Sequence, residues 1–422
     1  MDADVIVIGA GLAGLQCARR LESRGHRVTV LEAGDAVGGR VRTDEIDGFR
    51  CDRGFQVLNP AYPTLRRWTD LSALGLQSFG VGARVTTQSD ASVLAHPLRH
   101  PELLLSTVRS EHLQVSDVLA LVRWIGPALL SEAAASRPSR DRALRASFDA
   151  AGFTGPLRRN LMDTFLAGVM VDSSGEKSAD YARMLVRWFA LGAPGLPEKG
   201  MQALPEQMAS NLAEPVRLRS PARELHETAD GVTVTTDGAA LRARLAVVAV
   251  GPEHVADLTA LPAPVTHGLT TWWFRAPEPP GGGTFLTVDA SGPGGGPAGP
   301  VWNTAVVSEA APSYAPRGEH LVQATTLLDQ PTGLADEAAV RRDLERIYRT
   351  SARRWELLTH HVVPHTLPGQ PPPLRRHREQ RINDRTLIAG DHLDQGSIEG
   401  AMASGDRAAR TASSLLAGVR RG

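Results

Sequence analysis

Residues 4–34 read DVIVIGAGLAGLQCARRLESRGHRVTVLEAG, a complete strand, turn, helix and strand. Val5 to Ile8 form an unbroken apolar run, as a strand covered on both faces of a parallel sheet requires. Gly9, Gly11 and Gly14 then place G-x-G-x-x-G at the strand-to-helix turn. The first glycine permits the tight turn, the second lets a pyrophosphate touch backbone, and the third lets the helix pack on the strand. Phosphate oxygens there would rest on amides at the positive end of the helix, with Leu12 and Ala13 in its first turn. Leu12, Leu15, Ala18 and Leu21 give that helix one buried face, Arg24-Gly25-His26 ends it, and RVTVLE returns as a second strand. Glu32 stands at the tip of that strand, with Ala33 beside it. A carboxylate there accepts hydrogen bonds from both ribose hydroxyls and repels a 2′-phosphate, which argues against NADP. Dinucleotide binding follows; which dinucleotide does not.

The continuation, DAVGGRVRT (35–43), carries a second glycine pair, Gly38 and Gly39, followed by Arg40 and Arg42. A nicotinamide domain has no need of a basic residue at that turn. An extended FAD does, because Arg40 can fork onto the pyrophosphate while Gly39 permits close approach. The alternative is a surface turn with two solvated arginines.

VIVIGAGLAGL (5–15), LEAGDAVGGRVRT (31–43) and LIAGDHLDQGSIEGAMASGDRAA (387–409) together resemble the three fingerprints of the flavin amine-oxidase superfamily. That group includes monoamine and polyamine oxidases, protoporphyrinogen oxidases and phytoene desaturases. DRGFQVLNPAYP (52–63) and APSYAPRGEHLVQATTL (311–327) resemble its desaturase and protoporphyrinogen-oxidase side. The resemblance implies an α/β fold, with a discontinuous Rossmann-like FAD-binding domain from residues 1–75, 199–252 and 379–422. An inserted α+β substrate-binding domain would comprise 76–198 and 253–378. It also implies a set of site residues. Gly390 and Asp391 would reach the ribityl and pyrophosphate region of a noncovalently held FAD, and Ala222 would sit beside the adenine. Gly54, Phe55 and Gln56 would lie along the ring, and the chain would leave the domain at Gly251. The last helix would aim its N-terminus, Ser397 and Ile398, at the pyrimidine edge of the flavin. Glycine inside a helix costs roughly 1 kcal/mol against alanine, so the crowding of Gly400, Ala401, Ala403, Ser404 and Gly405 needs a reason. The expected reason is room for the ring. Flavin chemistry asks no nucleophile of the protein, and no catalytic side chain is assigned.

Three strands joined by D-G turns are expected over 216–252, a largely helical first insert, and a second insert of strands near 269–276, 284–290, 301–307 and 320–328. DASGPGGGPAGPV (289–301) reads as a mobile low-complexity loop, and EAAVRRDLERIYRTSARRW (337–355) as an amphipathic helix covering the second insert's sheet.

Departures from the amine-oxidase pattern weigh against amines. The only lysines are Lys177 and Lys199, and neither lies in GLTTWWF (268–274), where such enzymes carry one. Ser397 stands where they place an aromatic wall. Only Cys17 and Cys51 occur, too few for a disulfide framework, and neither lies where a thioether to the flavin would form. His360, His361 and His365 match no closed zinc spacing, so no metal is expected. RRHREQR (375–381) reads as a solvated charge run, and Trp272, Trp273 and Trp302 as sheet and pocket lining. VLALVRWIGPALL (118–130) reads as a buried amphipathic helix, with an entrance for lipid-like substrates or peripheral contact with a bilayer as the other reading. Equal numbers of acidic and basic residues, 46 each, suggest no nucleic-acid partner. The acidic start and the lack of a long apolar run suggest a cytoplasmic protein, with membrane association left open.

The expected function is hydride removal from an apolar or cyclic small molecule to flavin N5, with O2 or a quinone as electron acceptor. Oxidation of an amine or amino acid, and a redox-neutral FAD-dependent isomerisation, are the alternatives.

Overall fold

The computed structural model describes residues 1–136, 138–329 and 334–419. The last three residues of the expected C-terminal cofactor piece, and short stretches of both inserts, lie outside the described residues. The apolar run at the N-terminus forms β1 (Ala3–Ile8), and the helix Leu12–Glu22 crosses over to β2 (Val28–Leu31), which pairs with β1 in parallel. Val5, Ile6 and Val7 are fully buried, each side chain contributing about 1.5–3 kcal/mol to the core. A hairpin follows, β3 (Thr43–Ile46) with β4 (Phe49–Asp52). The first insert is largely helical, as expected, but it also carries short strands that were not. It opens with the short β5 (Gln77–Ser78) and the antiparallel pair β6 (Gly82–Thr86) and β7 (Ala91–Ala95). Helices fill it up to β8 (Gly195–Leu196), which returns to β5.

The middle segment folds as expected into β9 (Ala222–Thr228), β10 (Gly231–Thr236) and β11 (Ala240–Val248). β11 lies parallel to β1 along its length and antiparallel to β10 over its first half.

The second insert gives β12 (Thr266–Ala276), β13 (Leu286–Asp289), β14 (Val301–Val306), β15 (His320–Leu327) and β16 (Glu356–Pro368). With β6 and β7 they form a seven-stranded sheet ordered β16-β12-β15-β14-β13-β6-β7. β16 is the longest of these strands. Its His- and Pro-rich sequence hid it: Pro364 cannot donate to a ladder and is tolerated here because β16 is an edge strand paired only with β12. The helix Glu337–Tyr348 buries Val340, Leu344 and Ile347 against this sheet, as expected. The low-complexity stretch is anchored rather than loose. The fully buried Asp289 carboxylate accepts from Ser291 N (3.0 Å) and Ala298 N (2.8 Å) and pairs with Arg346 (2.7 Å).

The C-terminal segment adds β17 (Thr386–Ile388) beside the second half of β11, completing the run β2-β1-β11-β17. The last helix, Ile398–Val419, packs along the first. Three separated segments thus build one sheet, and the glycine turn, the end of β17 and the start of the last helix meet at its C-terminal edge, where open α/β sheets bind ligands.

Candidate functional site

A cavity of about 690 Å³ lies between the two sheets. Gly9, Gly11, Leu12 and Ala13 line one wall. A Cβ on Gly9 would stand 2.5 Å from the Ala249 carbonyl oxygen, whereas one on Gly11 would meet nothing within 4 Å. Gly11 therefore holds space open on the cavity side, at a helix start with no side-chain cap. Gly14 does not line the cavity. Its absent side chain lets the helix sit on the strand, since a Cβ would fall 1.9 Å from Gly9 O.

Glu32 and Ala33 line the next section. The Glu32 carboxylate accepts from Ala10 N and from Gly34 N, both at 2.8 Å, and so ties the glycine turn to the turn after β2. Two carboxylate oxygens offer about four lone-pair sites, so acceptor capacity remains for ligand hydroxyls. Gly38, Gly39 and Arg40 also line the cavity; both glycines have positive φ, and Gly39 lies against Gly11. Arg40 donates to Asp391 Oδ1 and to the Thr366 carbonyl, each at 2.7 Å. Arg42 is a correction: it turns away, pairs with Asp35 at 3.1 Å, and lies outside the cavity, because Asp35 offers it a carboxylate on the outer side of the turn.

Phe55 and Gln56 line the cavity, while Gly54, at φ +94°, turns the chain without reaching it. Gln56 donates to the Arg40 carbonyl (3.0 Å), and its buried Oε1 has no partner. That is an unused acceptor on the cavity wall. Ala222 does not itself line the cavity; it opens β9 beside the turn after β2, where Ser220 N donates to the Glu32 carbonyl, and packs against Ile8, Leu31 and Val248, while Ala249, Val250, Gly251 and Glu253 supply the lining.

Gly390, Asp391, Ser397, Ile398 and Ala401 line the cavity from the C-terminal segment. The small residues that follow have a different reason from the expected one. A Cβ on Gly400 would lie 1.8 Å from Gln395 O, and one on Gly405 would lie 2.2 Å from Ala13 O. Those two glycines serve close packing of the chain on itself and of the last helix on the first; Ala401 alone of the crowded small residues faces the cavity. Glu399, just before Gly400, accepts from Thr64 N (3.0 Å) and Thr64 Oγ1 (2.6 Å).

The remaining wall comes from the inserts and was not foreseen residue by residue, because helices and strands far apart in sequence supply it. Phe79, Leu161, Phe165, Leu185, Phe189 and Leu286 are among its residues. Asn303 and Thr325 add polarity, and the buried Asn303 Oδ1 has no partner. The charged or titratable lining residues are Glu32, Arg40, Glu253, His254 and Asp391, from the glycine turns, the segment after β11 and the end of β17, together with Tyr62 and Tyr181, whose phenols burial pushes up. Beyond Glu253 and His254, at the very start of the second insert, the insert wall carries no carboxylate, imidazole, lysine or arginine. Neither lysine lines the cavity. Lys177 is buried and donates to the Met170 carbonyl; burial pushes its ammonium down to about 8, against the pull of Asp172 and Asp329.

The other singled-out side chains have structural partners. His360 stacks on Trp272, His361 meets Asp44 at 2.9 Å, and His365 meets Thr266 at 2.7 Å. Trp272, Trp273 and Trp302 are sheet residues and do not line the cavity. Within the charge run, Arg376 pairs with Glu132 (3.0 Å) and the buried Asp394 (3.3 Å) rather than standing free. Asp52, which opens DRGF, lies outside the cavity and is fully enclosed. It accepts from Thr43 Oγ1 (2.5 Å), Met201 N (3.1 Å) and Tyr314 Oη (2.9 Å), and burial pushes its carboxyl up to about 6.

A family model described as flavin containing amine oxidoreductase matches residues 12–413. Putrescine oxidase from Kocuria rosea is 29% identical over 284 residues, covering 60% of this chain and 57% of that protein. The chain thus spans little more than half the length of the curated relative it matches. Among solved structures, a candidate protoporphyrinogen oxidase from Exiguobacterium sp. superposes with a TM-score of 0.71 at 18% identity, covering 98% of both chains. An oxidoreductase from Methanosarcina mazei superposes with a TM-score of 0.73 at 18% identity, covering 95% of this chain and 98% of that one. At such identity these likenesses show the fold.

Proposed function

The chain belongs to the flavin-containing amine oxidoreductase family, and on that footing we propose that it is an FAD-dependent oxidoreductase acting on a neutral, apolar or cyclic small molecule. A noncovalently held FAD supplies the hydride acceptor when bound. The residues present fit that group: an open backbone cradle at Gly11, a Glu32 carboxylate with spare acceptor capacity, and the orphaned Gln56 Oε1. Gly9 to Ala13 and Gly39 hold the pyrophosphate on backbone amides, and Glu32 takes ribose hydroxyls. Arg40 stays charged and fixed by Asp391 and the Thr366 carbonyl, beside that phosphate ground. The last helix starts at the cavity with Ser397 and Ile398, and its partial positive charge favours electron density gathering there.

The observation that carries the substrate class is the part of the insert wall beyond Glu253 and His254, which is mostly aromatic and aliphatic, with Asn303, Thr325 and Tyr181 for polarity and no carboxylate, imidazole, lysine or arginine. A diamine bound there would leave an ammonium unpaired in an apolar space, which costs several kcal/mol. The putrescine-oxidase likeness favours amine oxidation as the second reading. Aerobic peroxide release over a panel of amines, putrescine included, set against anaerobic reduction of the bound flavin by neutral cyclic compounds, separates the two. Reduction by neutral compounds with slow or no amine turnover is expected; steady amine turnover overturns the reading. O2 or a quinone as acceptor, and a cytoplasmic site of action, belong to this proposal.

A further inference from the structure

The helix Val115–Leu130 is apolar on both sides: Ala120, Trp124, Ile125 and Ala128 are buried in the core, and a second apolar stripe faces out. Its inward side carries Asp117, whose carboxylate accepts from Gly155 N (2.8 Å) and Leu157 N (3.0 Å), and Trp124, which donates to Ser147 (3.0 Å). Its outward side carries Val115, Val118, Leu119, Val122, Leu129 and Leu130, all exposed, with Leu119 at 63% and Leu130 at 88%. The spacing is that of one helical face. Leu98, Leu104, Leu105 and Val108 are exposed just before it in sequence, the last three on or beside the helix Leu104–Val108. The expected buried helix is met on one face only, that of Ala120, Trp124, Ile125 and Ala128, while the second apolar stripe faces out. Ten large apolar side chains exposed within residues 98–130 exceed the scattered singles of an ordinary surface.

We propose that this face docks on an anionic lipid surface. Charge names the occupant. Arg99, Arg109 and Arg123 are exposed among the apolar residues, and their guanidinium groups have no ion pair or hydrogen bond among the described residues. Of the two exposed acids in the stretch, Glu102 is taken by His100 at 3.1 Å. Unpaired guanidinium groups interleaved with leucine and valine suit phosphate headgroups above acyl chains. A second copy of the chain suits them poorly, because a two-fold contact on this patch would gather the arginines of both copies into one buried patch with few carboxylates to meet them. The helix has 16 residues and no helix among the described residues is long and apolar enough to cross a membrane, so it would lie in the interface plane. The helix Ala179–Leu191 packs against its inner side and supplies Leu185 and Phe189 to the cavity. A docked protein would thus hold its apolar cavity one helical layer from the bilayer. That consequence rests on the proposed apolar substrate; the docking does not.

The test is sedimentation of the full holoprotein with vesicles of equal phosphatidylglycerol and phosphatidylcholine, and with phosphatidylcholine alone. Binding to the anionic vesicles, weakened by salt, is expected. Leu119→Asp/Val122→Asp should reduce the partition coefficient about a hundredfold, two buried side chains at roughly tenfold or more each. Replacing Arg99, Arg109 and Arg123 by Gln should cost about fivefold per charge on anionic vesicles and little on neutral ones. Circular dichroism and flavin content should stay at the parent values in both variants. Absence of vesicle binding, binding indifferent to the aspartates, or self-association that the aspartates abolish would each overturn the proposal. None of these readouts depends on turnover.

Discussion

Gly405→Ala distinguishes packing from cofactor room as the reason for small residues in the last helix. In an unhindered helix interior the change stabilises by about 1 kcal/mol, because alanine restricts the unfolded chain and suits the helix. Here the new methyl would stand 2.2 Å from the Ala13 carbonyl oxygen and 3.1 Å from Cys17 N. Both are backbone atoms of the first helix, so no side chain can swing aside. Restoring ordinary contact requires the two helices to part by roughly 1 Å along a buried seam that includes Ala408 and Ala409. Overpacking of that kind costs about 1–3 kcal/mol and more where backbone must move, so the net effect should be a loss of about 1–2 kcal/mol. The assay is urea unfolding of the flavin-free protein, since bound cofactor would mask the change by mass action. Ala401→Leu is the counterpart: Ala401 lines the cavity, so apoprotein stability should change little while flavin affinity falls about tenfold or more. The reasoning is refuted if Gly405→Ala raises apoprotein stability by the helix-propensity gain and weakens flavin binding instead.

Asp52→Asn should remove a pH dependence of stability. The buried carboxyl has its pKa raised from 3.8 to about 6, so between those values the folded chain keeps a proton that the unfolded chain has released. Stability therefore falls as pH rises from about 4 to 6, by on the order of 3 kcal/mol in full, and the cost persists above that window. Asparagine keeps an oxygen for Thr43 and Met201 and can donate to Tyr314, so its unfolding free energy should be flat over the same range; an undiminished slope in denaturant titrations would count against Asp52. Glu32→Ala removes the acceptor for Ala10 N and Gly34 N. Each is a charge-assisted bond worth about 1.5–3 kcal/mol, and flavin affinity should fall at least tenfold while circular dichroism is unchanged. Fluorescence titration of apoprotein with FAD reads this, and unaltered affinity would exclude Glu32 from the cradle.

The parts legible in the sequence are those where one short stretch carries its own constraint. Gly9, Gly11 and Gly14 answer to backbone geometry within a single turn, and β1, its helix and β2 followed from them. The D-G turns of the middle segment set β9, β10 and β11 in the same local way. Legibility stopped where a side chain's partner comes from elsewhere. Arg40 and Arg42 are two residues apart and chemically alike, yet Asp391, 351 residues away, holds one at the cavity while Asp35 draws the other outward. Ala222 lies behind the lining rather than in it, because the chain before it is tied to Glu32 and Gly34 by backbone bonds the sequence does not announce.

Periodicity has the same limit in a sharper form. A stripe at helical spacing specifies an apolar face of Val115–Leu130, but not which environment receives it. The deciding information lies on the inner face, in Asp117 and Trp124. A carboxylate that caps the amides of Gly155 and Leu157, and an indole bonded to Ser147, can be satisfied only against the protein. Once they point inward, geometry alone turns Leu119 and Val122 out, about half a turn away on the same cylinder. Gly405 follows the same logic, since a glycine in a helix declares that something comes close without saying what. In both elements the polar or absent side chain, read for the partner it needs, discriminates better than the apolar pattern around it.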